Sequence, residues 1–163
     1  MYDFSQLMKA IEAMNRTGRK VSLTIFSSLS SRHMLEEYGS GHWPFLTFKD
    51  QMPRDDLIGG IRQAIAVVVP LAGRVQGVSV KALEATAQGV PVVIANPRDP
   101  RIFRDDETCI AVDPNTVERW ESAITRASIA QHRKNIIRGA RAEAEAFRST
   151  RILSSVTGLL SQK

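Results

Sequence analysis

The chain has 163 residues, 22 Lys+Arg against 17 Asp+Glu, a formal net charge of +5, and 43% hydrophobic with 24% charged residues. That describes one globular domain able to bury a core and argues against wholesale disorder. A single cysteine, Cys109, excludes a disulfide framework and a Cys-rich zinc site, and no apolar run approaches the roughly 20 residues of a membrane span.

Helical and strand periodicities alternate along the chain. Phe4, Leu7, Met8, Ile11 and Met14 share one face at helical spacing, with Gly18 placed to stop the helix. Residues 21–26 alternate as a strand; Met34, Leu35 and Tyr38 mark a short helix; residues 44–48 read as a second short strand. Pro53 is placed in the first turn of a helix carrying Leu57, Ile58 and Ile61. The run at 65–69 lacks alternation, which predicts a parallel strand covered on both faces.

The same pattern then returns. A Gly-containing loop at 72–77 leads into a small-residue helix over about 78–88. Residues 90–95 form a continuously apolar strand, and 108–112 a further short one. Asn115 with Glu118 three residues on predicts a capping box, opening a helix with Val117, Trp120, Ile124 and Ala127. Two more helical patterns follow: Ile129, Ile136, Ile137, Ala140, Ala144 and Phe147, then Ile152, Leu153, Val156 and Leu160. Neither a repeat nor an internal domain boundary is legible, so residues 1–163 read as a single domain with 115–163 as a helical tail.

This alternation predicts an open, mostly parallel α/β sheet with helices on both faces. Ligands of such sheets bind beyond the carboxyl ends of the strands. Gly77 opens a helix there, and free N–H groups of a first turn suit a phosphate or diphosphate; an ordinary tight strand–helix turn has the same composition. Glu84 follows two turns later among Leu83, Ala85 and Ala87. A carboxylate so placed can accept hydrogen bonds from vicinal hydroxyls, or simply pair on the helix flank.

The segment Gln76-Gly77-Val78-Ser79-Val80-Lys81-Ala82-Leu83-Glu84-Ala85-Thr86-Ala87-Gln88-Gly89-Val90-Pro91-Val92-Val93, preceded by Pro70-Leu71, resembles the signature of the group 1, glycogen-synthase-like retaining glycosyltransferases. The portion from Leu83 to Val93 matches that family's Leu-Glu-Ala-x-Ala-x-Gly-x-Pro-Val-Val in full. The resemblance implies a Rossmann-like, doubly wound parallel sheet: the carboxy-terminal, donor-binding half of a two-domain GT-B fold. It implies that Glu84 holds ribose and that backbone amides of Gly77, Val78 and Ser79 hold the diphosphate of a UDP-, GDP- or ADP-sugar. Gln76 stands where the family has its first glutamate, so hydrogen bonding to the donor sugar is kept and the negative charge is lost. The loop with Lys49, Gln51 and Met52 would flank the base. No cofactor or metal is implied. The family's first strand, with the Arg and Lys that follow it, and its acceptor domain have no counterpart here. In a doubly wound order that strand is central, so a gap in the sheet is expected. The acceptor would be a glycan or lipid-linked molecule met through the absent domain, and this chain alone is expected not to transfer sugar efficiently. The same features suit a non-catalytic homologue acting as a binding or assembly module.

Other residues carry less. His33, His42 and His132 lack ligand spacing. Ser27, Ser28, Ser30 and Ser31 suit helix capping more than a site, and Cys109 in an apolar strand suits burial. Arg98, Arg101 and Arg104 crowd a loop near the ligand side, where they either neutralise phosphate or are simply solvated. The tail's Arg126, Arg133, Lys134, Arg138, Arg141, Arg148 and Arg151 suit a solvated face, with peripheral contact to anionic lipid as the alternative. No nucleic-acid motif accompanies them. The expected location is the cytoplasm, or the inner face of its membrane, and an unfilled sheet edge would favour homo-oligomers.

Overall fold

A computed structural model describes residues 3–26, 43–49, 52–71, 80–97 and 103–146. The helix expected around Met34 and the last one, from Ile152, lie outside them.

The first helix, α1 (Ser5–Arg16), buries Leu7, Met8, Ala10, Ile11 and Met14, the stripe that its 3.6-residue period predicts. Gly18, at φ +85°, turns the chain away, a conformation that a Cβ would strain. Asn15 fastens the turn: its side chain accepts from the Val21 N–H at 3.1 Å and donates to the Val21 carbonyl at 2.8 Å. Strand β1 (Leu23–Phe26) then alternates in burial and pairs in parallel with β2 (Leu46–Lys49), Leu23 opposite Leu46.

Helix α2 (Arg54–Gln63) starts one residue after Pro53, whose ψ of 147° makes it the residue before the first turn rather than part of it. Strand β3 (Val67–Val69) is shorter than the apolar run from Ile65 predicts, and Val67 and Val68 are only half-buried. Complete cover was expected. The reason for the difference is that β3 has a strand neighbour, β4, on one side alone. Helix α3 (Val80–Ala87) and strand β4 (Val92–Ala95) follow, and all four residues of β4 are buried, as its unbroken apolar run predicts.

Strand β5 (Ile110–Val112) pairs with β4, again in parallel. Helix α4 (Val117–Ser128) buries Trp120, Ala123, Ile124 and Ala127. Its cap is Thr116, whose hydroxyl accepts from the Arg119 N–H at 3.4 Å. The expected cap, Asn115, has another partner: its carbonyl oxygen accepts from the indole N–H of Trp120 at 2.7 Å. A buried indole donor needs an acceptor, and that need sets the register of the cap. Glu118 is still held at the helix start, where its own N–H and the Thr116 hydroxyl lower its pKa below the usual carboxylate value. Helix α5 (Ala130–Ala146) ends the described chain.

Alternate residues of β4 face opposite layers. Val93 and Ala95 join β1, β5, α1 and α4 in one core, whereas Val92 and Ile94 join Val69, Phe103, Cys109 and α3's Ala82 and Ala85 in the other. Helices thus cover both faces of a parallel sheet. The sheet itself is divided into β1-β2 and β3-β4-β5. If β1 and β2 are second and third in a doubly wound order, and β3 to β5 fourth to sixth, the break falls at the first strand's position. There the Asp3 N–H donates to the Pro70 carbonyl at 2.8 Å, bringing the lead-in to α1 beside the end of β3.

Candidate functional site

Parallel strands place Lys49, Pro70, Asn96 and Asp113 just at or beyond the carboxyl ends of β2, β3, β4 and β5. Asn96 pins this rim. Its φ of 47° is one that Asn tolerates better than most residues. Its N–H donates to the Val112 carbonyl at 3.1 Å, and its side-chain amide donates to the Leu71 carbonyl at 3.2 Å. One residue therefore ties together the outlets of three strands. The rule that Asn visits left-handed backbone was the available signal, and it does not by itself single out this asparagine.

Glu84 lies in α3, and its carboxylate takes a hydrogen bond from the Arg54 guanidinium at 3.2 Å. Both side chains face solvent, Arg54 at 76% exposure and Glu84 at 43%, so water screens the pair and leaves the carboxylate accessible. Arg54 is two residues beyond Met52, so the pair draws the start of α2, with half-buried Met52 before it, up to the carboxylate of α3. Farther along, the Arg62 side chain donates to Gln88 at 2.9 Å and keeps α2 alongside α3. Lys49 ends β2, exposed and in register with Phe26. Gln51, Gln76, Gly77, Val78 and Ser79 lie outside the described residues. Arg54 was missed in the sequence. A cation in a helix's first turn opposes the dipole, and that mismatch was the signal for a partner nearby.

The other candidates separate from this rim. Arg104 is bound by Glu107 at 2.6 Å and by Glu143 of α5 at 2.7 Å, and these two carboxylates raise its pKa. It lies in the segment leading into β5, so its charge is neutralised far from the strands' carboxyl ends. Arg98 and Arg101 are outside the described residues. His132 stands 3.0 Å from Asp106, which also meets Arg126. Asp106 and its neighbour Asp105 join the start of β5 to α4 and α5, with Asp105 accepting from the Ala111 N–H at 2.8 Å. Among the described residues no three His, Cys, Asp or Glu side chains gather as a metal site. Cys109 is wholly buried, and desolvation pushes its thiol up to about 12.

A parallel sheet covered by helices on both faces, with its rim at the carboxyl ends of the strands, belongs to the doubly wound class of α/β folds. The family model described as Glycosyl transferases group 1 matches residues 3–128, and the chain belongs to that family. Among solved structures, the pneumococcal O-GlcNAc transferase GtfA in complex with UDP and GlcNAc superposes at a TM-score of 0.70 and 16% identity, over 99% of this chain and 33% of that one. TarM gives a TM-score of 0.72 at 15% identity, over 97% of this chain and 32% of that one. The C-terminal domain of a group 1 glycosyl transferase, LpcC from Francisella tularensis, gives 0.63 at 19% identity, over 84% of this chain and 75% of that one. The chain thus has the fold of a Rossmann-like half of a GT-B protein, and it spans about a third of the length of the first two. No curated protein sequence matches it.

Proposed function

We propose that this chain is the donor-binding half of a retaining glycosyltransferase, which moves a sugar from a nucleoside diphosphate to a glycan or lipid-linked acceptor. One observation supports it above the others. The Glu84 carboxylate in α3 is exposed and meets Arg54, at the start of the helix that follows the proposed base loop. A ribose lying there would reach the carboxylate with both hydroxyls while its base lay toward Lys49, Gln51 and Met52. The backbone amides of Gly77, Val78 and Ser79 would take the diphosphate, and Gln76 would hydrogen-bond the donor sugar without adding a charge. Of the neighbouring structures, one carries UDP and another is the C-terminal domain of a family member, which favours UDP as the first nucleotide to try.

Calorimetric titration with UDP, GDP, ADP and their sugars tests this reading. Hydrogen bonds to a charged group contribute about 1.5–3 kcal/mol each, so Glu84→Ala should weaken binding at least tenfold. Absence of binding by the wild type, or a Glu84→Ala variant that binds as well, would overturn it. A second reading, a non-catalytic binding or assembly module, draws on Gln76, which replaces the family's carboxylate with a neutral amide. It predicts nucleotide affinity with no turnover when an acceptor domain is supplied, and turnover by the wild-type chain, with Gln76 in place, would exclude it.

A further inference from the structure

Four cations of α5 have no ion-pair partner among the described residues. Arg133, Lys134, Arg138 and Arg141 make no ion pair or side-chain hydrogen bond with any described residue, whereas Arg104 and Arg126 nearby are each held by two carboxylates. At about 100° per residue the four fall, with Ala130 and Ile137, within roughly 140° of the helix circumference. Ile136 and Ala140, which fix the helix to the core, lie on another side of it. The stripe lines an open groove of about 640 Å³.

Like charges at this spacing are unfavourable. Lys134 and Arg138 are four residues apart, and Arg138 and Arg141 three, so each pair repels across one turn. Of the two carboxylates on the helix, Glu143 is engaged by Arg104, and Glu145 has an interaction of its own but no ion pair with any of the four. No ion pair among the described residues offsets the repulsion, and an external array of anions would. The rest of the stripe narrows the choice of array. It contains no aromatic ring on which a nucleobase could stack. Instead aliphatic groups stand among the cations: Ile137 is half-buried in the groove and Ile129, just before the helix, is 52% exposed. Cations set around a half-buried Ile137, with exposed Ile129 just before the helix, match a headgroup layer, which presents anions over shallow hydrocarbon. No helix among the described residues is long and apolar enough to cross a membrane, so α5 would lie on the surface.

The stripe is also well removed from the rim. Arg141 reaches the turn before β4, where a Cβ on Gly89 would stand 2.7 Å from its guanidinium. At Gly139, α5 packs so closely on the segment before β5 that a Cβ would lie 2.1 Å from the Glu107 carbonyl. Both contacts are at the amino ends of the strands, the side opposite the proposed nucleotide crevice. We propose that the face of α5 formed by Arg133, Lys134, Arg138 and Arg141 docks the protein on an anionic phospholipid surface, with Ile129 and Ile137 at headgroup depth.

Cosedimentation with phosphatidylcholine vesicles, with and without phosphatidylglycerol, tests this directly. Binding should require phosphatidylglycerol and fall steeply as salt is raised. Each cation removed should weaken it about fivefold, so Lys134→Gln with Arg138→Gln should lose about 25-fold. Thermal unfolding of that double variant should match or exceed the wild type, because the repulsion is relieved. Equal binding to neutral vesicles, or retention of full binding by the double variant, would overturn the proposal. So would calorimetric binding of inorganic phosphate or salt-sensitive binding of RNA, if vesicles stay unbound. Glu84→Ala should leave the vesicle result unchanged, so the test stands apart from the fate of the proposed nucleotide site.

Discussion

The two half-sheets are held by different means. In β3-β4-β5 the middle strand is wholly buried, with small residues of α3 on one face and the Trp120 side of α4 on the other. Its lower end is closed by Arg104 and Arg126 with their carboxylates, and by the close approach of Gly139. In β1-β2 burial alternates or stays partial, and α2, which sets Gly60 toward Phe26 of β1 and Ile61 against the other half, has no buried residue at all. The proposed crevice lies between a rigid half and a lightly held one, with Arg54 and Glu84 reaching across. Ligand sites of enzymes are often assembled this way, because a wall of low local stability can adjust to the substrate.

The sharpest way to break this contrast is to truncate one apolar side chain in each half. Trp120 is fully buried and donates to Asn115, so Trp120→Ala should cost about 3–5 kcal/mol and orphan an amide oxygen. Leu57 on α2 is half-buried, and Leu57→Ala should cost about 1 kcal/mol. Urea unfolding of both variants gives the two numbers. Equal losses would mean that α2 is as firmly packed as α4, and the contrast would fail.

A smaller effect probes the rigid half through its one buried thiol. The Cys109 thiol is pushed up to about 12 by burial, so the folded state holds it neutral where an unfolded cysteine, with a pKa of about 8.5, ionises. The stability gained from the neutral thiol is therefore complete below about pH 8.5 and is lost as pH rises from there toward 12. Once well above 8.5, the loss approaches about 1.4 kcal/mol per pH unit. Urea midpoints at mildly alkaline pH should fall less for Cys109→Ala than for the wild type, and iodoacetamide should label wild type only as fast as the protein opens. Rapid labelling of native protein would show that this half breathes.

Much of the rigid half could be read directly from the residues. An unbroken apolar run predicts a strand covered twice, and β4 is that strand. The equally apolar run before it is half-covered, because cover depends on the neighbours of a strand, and β3 has just one. The capping of α4 was misread by one residue for a similar reason: local spacing favoured Asn115, but the buried indole of Trp120 claims its oxygen. At the rim, Glu84 was legible through the eleven-residue pattern from Leu83 to Val93. Its partner Arg54 was not, since thirty residues separate the two and only the fold brings the start of α2 to α3. The unpaired state of the α5 cations was similarly hidden. Composition shows the charges, whereas which of them are neutralised depends on where Glu107, Asp106 and Glu143 fall in space.

The smallest expected effect is at the link itself. An ion pair this exposed contributes at most about 0.5 kcal/mol, because solvent screens it and two long side chains must be ordered to form it. Arg54→Ala should accordingly leave the urea midpoint nearly unchanged. A double-mutant cycle with Glu84→Ala isolates the coupling, which should be about 0.3 kcal/mol and should vanish in high salt. A coupling above about 1 kcal/mol would mean that α2 and α3 move as one body and that the crevice is rigid on both sides. At the expected small value, the carboxylate of Glu84 can leave Arg54 at little cost, and an incoming ligand hydroxyl has only a weak, solvated contact to displace.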